Sequence, residues 1–547
     1  MRQLTSILRR VYPHLSKLRK WQLLGVIMLT MVASFAEILT LGAVIPFIAV
    51  LENPGIVQAQ IVNYVPFLNA FFEGSNLSIV ITSIFCVAVL LAMIIRMGLV
   101  VASARFTFGL GSDLSCKMMA LNLDQDYQVH LSRNSSAVIA GMTTKTNSII
   151  YSALLPTILL FNSSVTVLFI SIALILMDPL IGFLGVGFFA SMYLIISSIT
   201  GTRLRRQSKI IAEYQTTQIR YIQEGLGGIR DVIISGLQSN IIKKYSMIDK
   251  RLRRANGNNQ IIGLLPRYLL EGVGVTLIAV AALVLTAANS GSDIGVLPIL
   301  GAYALGAQRI LPAMQNIYVA WANFNGDLDA VFDALGFLEQ TKKVRDSVVQ
   351  PVDFSHSISF RNINFSYKGS CETALKNISL EIEKGDRVGI FGTTGSGKST
   401  FVDILMGLNS PTSGSIFIDT AQICPDNLRG WQSHIAHVPQ KIFLVDGSIA
   451  ENVAFGIPTD QINRNKVREC LKKARLADFI SQIDNEEVDV IGERGARLSG
   501  GQVQRIGIAR ALYLEKEVIV FDEATSALDT RTEAEIMDTI YNLSQDL

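Results

Sequence analysis

The chain has 547 residues, of which 50% are hydrophobic and only 17% are charged. Its mean hydropathy is +0.38, a value that excludes an ordinary soluble enzyme. The net charge of +3 gives no argument for nucleic-acid binding. The five cysteines are odd in number and lack metal-ligand spacing, so the sequence predicts no disulfide framework.

Six long apolar segments occupy the first three-fifths of the chain. Each is nearly free of charge and long enough to cross a hydrocarbon core of about 30 Å, so each predicts a transmembrane helix. They cover residues 21–51, 77–104, 149–177, 180–200, 261–289 and 294–321.

The charges of the loops predict how these helices are oriented. The first 20 residues carry six Lys and Arg and no acid, whereas residues 52–76 carry two Glu and no Lys or Arg. By the positive-inside rule, the N-terminus is predicted to be cytoplasmic, and six spans return the chain to the same side. The 202–258 loop carries twelve Lys and Arg, and we expect its helices to extend well beyond the bilayer.

Ionisable side chains interrupt the apolar segments at Glu37, Arg96, Arg267, Glu271 and Arg309. Each costs about 2.5 to 3.5 kcal/mol at the centre of a membrane helix, so we expect them to face the interior of the bundle. The arginines suit a phosphate or pyrophosphate headgroup, because guanidinium groups bind such oxygens bidentately. Two alternatives stay open: Arg267 pairs with Glu271 at i,i+4, and Arg96 snorkels to the membrane surface.

A glycine-rich motif, GTTGSGKS, follows at Gly392–Ser399. The pattern G-x-x-x-x-G-K-[ST] is typical of a P-loop, whose backbone N–H groups surround phosphate oxygens. A strand is predicted before it at Arg387–Phe391 and a helix after it at Thr400–Gly407. In this motif the Lys reaches the terminal phosphates and the Ser hydroxyl ligates Mg²⁺. The predicted ATP-binding residues here are Gly392, Thr393, Thr394, Gly395, Ser396, Gly397, Lys398, Ser399 and Thr400.

Two further motifs come after the P-loop. LSGGQ stands at Leu498–Gln502, and VIVFDE stands at Val518–Glu523. The four apolar residues of VIVFDE predict a buried parallel strand, which presents Asp522 to a metal ion and Glu523 to the attacking water. We therefore predict Glu523 as the catalytic residue and Asp522 as a metal ligand.

With these motifs, the segment from Ile358 to Leu547 resembles the nucleotide-binding domain of ABC transporters. The resemblance implies ATP and Mg²⁺ as cofactors, with Tyr367 stacking on adenine and Gln440 joining Ser399 and Asp522 at the metal. It also implies that the signature completes the ATP site of a partner subunit through Ser499, Gly500, Gly501 and Gln502. Since the chain carries one P-loop and one signature, a homodimer is implied.

The membrane half resembles the PglK-type lipid-linked oligosaccharide flippases, in the segments 33–51, 266–274 and 303–317. The resemblance implies ATP-driven transport of a lipid-linked (pyrophosphate) oligosaccharide, or a similar amphipathic lipid, across the bacterial inner membrane. Its pyrophosphate would be bound by Arg96, Arg267 and Arg309. A broad-specificity exporter of drugs or lipid A-type lipids has the same architecture and stays the alternative. Coupling turns are expected near Asp124–Ser132 and Gly225–Asp231.

The predicted fold is a membrane α-helical domain with six transmembrane helices, of the type IV ABC exporter fold, followed by an α/β P-loop NTPase domain. The predicted boundaries are 1–335 for the transmembrane domain, 336–352 for the linker and 353–547 for the nucleotide-binding domain. ABC domains carry a switch histidine after a further strand, and no His follows Glu523 here. We therefore expect a C-terminally incomplete domain that binds ATP and hydrolyses it poorly.

Overall fold

The computed structural model describes residues 2–52, 77–177, 179–288, 296–340, 351–367, 372–477, 491–492, 495, 497–522, 530, 533–534, 538 and 541. The chain divides into two compact units. The first comprises Met1–Gln125 and Ser132–Lys342, and the second comprises Asp126–Leu131 and Lys343–Leu547. The greater part of the predicted linker, residues 341–350, lies outside the described residues.

Long helices make up the first unit. A helix satisfies its own backbone N–H and C=O groups, which is the condition for crossing a bilayer. Two π-helical segments, Gly141–Lys145 and Ile149–Leu154, interrupt one of the helical runs. The α-helices of the described residues up to Leu338 are α1 (Arg2–Val11), α2 (Lys17–Glu52), α3 (Leu77–Leu123), α4 (Tyr127–Ser132), α5 (Ser135–Ala140), α6 (Thr146–Ser148), α7 (Leu155–Met177), α8 (Pro179–Gly227), α9 (Ile229–Ile234), α10 (Gln238–Ala288), α11 (Val296–Gly326) and α12 (Leu328–Leu338). Of these, α4 lies in the second unit except for Ser132.

Four stretches of the described helices are long and apolar enough to cross a membrane, and they overlap the first four predicted spans. They are Lys17–Leu51, Ser78–Leu123, Ser135–Leu176 and Gly182–Gly227. The fifth and sixth predicted spans lie on α10 and α11, which are helical over 51 and 31 residues. That these two helices cross a membrane stays a prediction.

Helices α8 and α10 are far longer than a bilayer core requires. They contain 49 and 51 residues, so each extends about 75 Å at a rise of about 1.5 Å per residue. The prediction that the helices of the 202–258 region continue past the length of a bilayer core is therefore confirmed. A break in the helix is present at the turn expected near Gly225–Asp231, because α8 ends at Gly227 and the short helix α9 begins at Ile229.

Two hydrophobic clusters hold the first unit together. One joins α1, α3 and α12 through Ile7, Leu114 and Val331, none of which is more than 1% exposed. The other joins α7, α8, α10 and α11. Within it Gln315 cross-links three helices: the Tyr193 hydroxyl donates to its Oε1 at 2.9 Å, and its Nε2 donates to the Gly263 carbonyl at 2.8 Å. Such a buried amide is stable because both of its ends are hydrogen-bonded.

The second unit contains a four-stranded antiparallel sheet in the order β2–β1–β3–β4. The strands are β1 (Ser357–Ser366), β2 (Thr373–Glu383), β3 (Ser413–Ile418) and β4 (Ala421–Gln422). Alternate residues of β1 are buried, and Phe360 packs its ring 4.8 Å from that of Phe401. Phe401 belongs to α13 (Lys398–Leu405), so this sheet packs against the helix that follows the P-loop.

A separate parallel pair is formed by β5 (Ile435–Val438) and β6 (Val518–Phe521). Val518 and Val520 pack towards α13, whereas Ile519 and Phe521 face the opposite cluster. The parallel strand predicted from VIVFDE is thus confirmed and has apolar neighbours on both faces. Val520 is buried, whereas Val518, Ile519 and Phe521 are half-buried. Further α-helices among the described residues of this unit are α14 (Leu428–Gln432), α15 (Ile449–Val453), α16 (Arg464–Lys473) and α17 (Gly500–Tyr513).

The strand predicted at Arg387–Phe391 is not present. This segment has no ladder partner among the described residues, and Phe391 is 94% exposed. A strand exists only through hydrogen bonds to a neighbouring strand, so apolar composition alone does not produce one.

Candidate functional site

The P-loop turns sharply at two glycines before α13. Gly395 and Gly397 have φ of 83° and 92°, in the left-handed region that glycine adopts without steric cost. A Cβ atom at Gly397 would lie 2.7 Å from the Ala374 carbonyl oxygen, which is closer than real Cβ atoms come. The loop therefore needs glycine at this position for its conformation and for the close approach of β2.

Lys398 is the first residue of α13 and folds back over the loop. Its Nζ donates hydrogen bonds to the Gly392 carbonyl at 2.8 Å and to the Thr393 carbonyl at 3.0 Å. Both partners are neutral, so the ammonium keeps its full charge at the loop. An incoming phosphate can replace these carbonyls without leaving a buried charge unpaired.

Tyr367 lies beside the same helix. Its hydroxyl and that of Thr400 are 2.9 Å apart, and the ring of Phe365 packs edge-on against it at 4.9 Å. The Tyr367 ring is still 38% exposed, so one surface is open to an aromatic base. Two predicted ATP-binding residues are thereby brought together.

Gln440 and Asp522 follow the two parallel strands at the same edge. Gln440 comes two residues after β5, and the Asp522 N–H donates to the Val438 carbonyl at 3.0 Å. The carboxyl ends of parallel strands meet at one edge of a sheet, which is where nucleotide sites form. The predicted catalytic residue Glu523 lies outside the described residues.

Asp403 of α13 was not predicted as a site residue. Burial raises the pKa of its carboxyl, and the negative charge of Asp522 raises it further. Asp522 is thus close to the P-loop helix, as a metal ligand shared with Ser399 requires. An acid five residues after the P-loop lysine is the signal that could have drawn attention to Asp403.

Tyr127 is a second residue that the motifs did not reveal. It lies in the 126–131 segment, which belongs to the second unit. Burial raises the pKa of its hydroxyl, and the neighbouring Asp403 and Tyr367 raise it further. The predicted coupling turn therefore places an aromatic side chain close to two groups of the candidate ATP site.

The signature motif begins α17. Ser499 is the N-cap: its Oγ accepts from the Gln502 N–H at 3.3 Å, and its own N–H donates to Gln502 Oε1 at 2.7 Å. This reciprocal capping box leaves the N–H groups of Gly500 and Gly501 at the positive end of a 14-residue helix. Leu498 and Val503 pack in a different cluster from α13, so the signature and the P-loop helix belong to separate parts of this unit.

These residues fit ATP and Mg²⁺. The glycine conformations keep the loop open to phosphate, Lys398 supplies charge held by displaceable carbonyls, and the exposed Ser399 hydroxyl stands in the first turn of α13. Gln440 and Asp522 would add an amide and a carboxylate oxygen, which are ligands that Mg²⁺ accepts alongside phosphate. The bound metal supplies neutralisation of phosphate charge.

In the first unit, two of the three predicted arginines meet at one carboxylate. Glu37 Oε1 lies 3.0 Å from Arg96 Nη1 and 3.5 Å from Arg309 Nη1. The Glu37 side chain is only 8% exposed, whereas those of Arg96 and Arg309 are 62% and 32% exposed. Arg96 therefore turns to Glu37, contrary to the snorkelling alternative. Glu37 stood out as an ionisable residue in an apolar segment, but its role as their shared partner was missed.

The third arginine is placed differently. Arg267 Nε lies 3.9 Å from Glu271 Oε2 one helical turn away, and both side chains are more than half exposed. The i,i+4 alternative is therefore the one that the structure shows for Arg267. Within the described residues, the arginine set that shares Glu37 consists of Arg96 and Arg309.

Comparison with solved structures defines the fold. The chain superimposes on a bacterial Atm1-family ABC exporter, whose structure was solved with ATP bound, with a TM-score of 0.74 at 21% identity, covering 96% of this chain and 89% of the other. The predicted fold class is confirmed: a type IV ABC exporter fold with a helical membrane region and a P-loop NTPase domain.

Sequence comparison identifies a segment of the second unit. Residues 375–526 match the family model described as "ABC transporter", so this segment is an ABC transporter ATPase domain. The chain is also 30% identical, over 354 residues, to the ATP-dependent lipid A-core flippases of Escherichia coli strain K12 and Shigella flexneri. The match covers 63% of this chain and 59% of the length of those relatives.

Proposed function

We propose that the chain is one subunit of an ATP-driven homodimeric exporter or flippase of the bacterial inner membrane. Its substrate is a lipid-linked pyrophosphate oligosaccharide or a similar amphipathic lipid. The N-terminus and the nucleotide-binding domain lie in the cytoplasm. The observation that supports this substrate class best is the convergence of Arg96 and Arg309 on the buried Glu37.

The charge balance of this cluster favours an anionic ligand. Two guanidinium groups share one carboxylate, so the cluster carries a net charge of about +1 among apolar helices. An unneutralised charge is costly inside a membrane domain, and an anion between the helices removes that cost. The exposed guanidinium edge of Arg96 can bind phosphate oxygens while Glu37 holds the other side of the cluster.

The second unit would supply the energy. Lys398 and the loop N–H groups hold the phosphates, Ser399, Gln440 and Asp522 hold the metal, and Tyr367 holds the base. Glu523 orients and polarises the attacking water, and the partner's signature helix closes over the γ-phosphate. The capping box at Ser499 supports this last role, because it preorganises the N-terminus of α17 for an anion.

A second candidate function is export of a lipid A-type lipid or of drugs with broad specificity. The similarity to lipid A-core flippases favours the lipid A-type substrate. A drug exporter differs in needing no anion, so the response to hydrophobic amines separates it from both lipid hypotheses.

The proposal is tested by ATPase stimulation in liposomes. The wild type is compared with Arg96→Ala plus Arg309→Ala and with the matched control Arg220→Ala plus Arg253→Ala. The control removes the same charge from exposed i,i+4 pairs elsewhere on the long helices. We expect a polyprenyl-pyrophosphate-linked oligosaccharide to stimulate the wild type and the control, but not the Arg96 and Arg309 variant. Equal stimulation of all three proteins would refute the anion site, and stimulation by amines alone would favour a drug exporter.

A further inference from the structure

A second basic region lies between the extended parts of α8 and α10, in a cavity of about 720 Å³. Four arginines line it: Arg203 and Arg206 on α8, and Arg251 and Arg254 on α10. The spacing of three residues places each pair on one face of its helix, and the two faces meet across the cavity. These positions are distant in sequence from Arg96 and Arg309.

The charge of this cavity is not compensated. None of the four arginines has a carboxylate partner among the described residues, and the residues that line the cavity include no Asp or Glu. Arg251 donates from Nη1 to the Tyr214 hydroxyl at 2.6 Å, which orients the guanidinium but leaves its charge in place. The neighbouring Arg253 is different, because its Nε lies 3.3 Å from Asp249 Oδ1.

A cluster of packed apolar side chains separates the arginine-bearing faces of α8 and α10. Ile211, Leu252 and Ala255 form a cluster between the helices and are 0%, 7% and 2% exposed. Because this cluster is close-packed, it fixes the backbones of α8 and α10 relative to each other. The four arginines therefore start from fixed positions on either side of the cavity, and their side chains are accessible to solvent.

One end of the cavity is apolar. Ile261 and Ile262 line it where α10 enters the predicted fifth span. A ligand in the cavity thus meets the guanidinium groups of four arginines and, at Ile261 and Ile262, hydrocarbon. This pattern matches a phosphorylated headgroup with attached acyl chains, since basic pockets between membrane helices bind anionic lipid headgroups.

We propose that this cavity binds the phosphate headgroup of an amphiphilic lipid at the membrane surface. The site is separate from the Glu37 cluster and does not depend on ATP. It therefore goes beyond the proposed transport function, and its test does not depend on that function. Its chemical requirement is an anionic phosphate next to an apolar chain.

Calorimetric titration of the detergent-solubilised full chain, without nucleotide, tests the proposal. The probes are short-chain phosphatidic acid, short-chain phosphatidylcholine and inorganic pyrophosphate. We expect phosphatidic acid to bind the wild type, and Arg203→Ala plus Arg254→Ala to weaken it about 30-fold. The matched control is Arg205→Ala plus Arg253→Ala, which removes two exposed arginines from the opposite sides of the same helices. The control should bind within about twofold of the wild type.

Each result of the titration either supports or overturns the proposed site. Preference for phosphatidic acid over pyrophosphate and phosphatidylcholine supports a lipid phosphate site, whereas equal binding of pyrophosphate overturns the lipid assignment. Equal losses in both double variants, or no binding by the wild type, overturn the site itself. Thermal unfolding of each variant verifies that it is folded. Loss of phosphatidic acid binding in Arg96→Ala plus Arg309→Ala, with binding retained in Arg203→Ala plus Arg254→Ala, would place the lipid at the Glu37 cluster instead.

Discussion

Lys398 of the P-loop and the arginines of the Glu37 cluster are both cations suited to an anion, but their present partners differ in kind. Lys398 is held by two neutral carbonyls at 2.8 and 3.0 Å. Arg96 and Arg309 are held by one buried carboxylate. An anion that takes Lys398 from its carbonyls displaces no charge, whereas an anion that takes the arginines must compete with Glu37. We infer that the P-loop is built for tight binding and the membrane cluster for binding and release.

The largest effect is expected at Glu523, the proposed catalytic residue. Glu523→Gln keeps the size of the side chain but removes the carboxylate that we propose polarises water, so ATP hydrolysis should fall by about 10² to 10⁴. ATP binding and dimerisation should persist, because Lys398 and the loop remain intact. Steady-state ATPase assays and equilibrium nucleotide binding measure the two quantities. Normal turnover in this variant would remove Glu523 from the catalytic role.

The conformation of the P-loop is tested by a substitution at Gly397. Gly397→Ala brings a Cβ within 2.7 Å of the Ala374 carbonyl at a φ of 92°, and we expect about 30-fold weaker ATP binding from about 2 kcal/mol of strain. Gly385→Ala is the matched control, because Gly385 has a φ of 93° but a Cβ added there would have no atom within 4 Å. If both variants bind ATP equally, the close contact at Gly397 has no part in shaping the site.

For the Glu37 cluster, the comparison predicts tighter binding of the ligand when the carboxylate is removed. Glu37→Gln removes the competing carboxylate, so a pyrophosphate lipid should bind about tenfold more tightly, while release and hence transport should slow. Arg309→Ala is the opposing variant, in which lipid binding should weaken. Equilibrium binding of the lipid to the purified chain measures both. Weaker binding in Glu37→Gln would show that Glu37 assists the ligand and does not compete with it.

The smallest effect concerns the stability of the second unit at the start of β1. Burial acts to raise the pKa of Asp419, but three backbone N–H groups, of Ser355, His356 and Ser357, outweigh it and lower the pKa below the ordinary value of 3.8. A lowered pKa stabilises the fold above about pH 3.8, and this contribution is lost as the pH falls through the lower folded-state value.

Asp419→Asn should therefore cost about 1 kcal/mol in the free energy of unfolding at pH 7, and the difference should shrink towards pH 3. Denaturant titration followed by the fluorescence of the buried Trp431 measures it. A cost that does not change with pH would show that the carboxylate charge is not involved.

Local motifs made much of the second unit predictable. The P-loop, the VIVFDE strand and the LSGGQ helix start are each set by neighbouring residues, because turn, strand and cap geometry act over a few positions. The same reasoning failed at Arg387–Phe391, where a strand depends on a distant partner. It also missed Asp403, which matters because α13 packs beside the end of β6 and brings its carboxyl close to Asp522.

The sequence by itself determined which segments are apolar, which loops are basic, and where phosphate chemistry is encoded, since each of these is a property of contiguous residues. Only the tertiary structure decided which charges meet. Glu37, Arg96 and Arg309 come together because α2, α3 and α11 place them there, while Arg267 stays with its own helical neighbour. Likewise, four arginines of two helices form one cavity only because α8 and α10 pack against each other. Packing determines which distant residues pair, and no single segment of the sequence determines the packing.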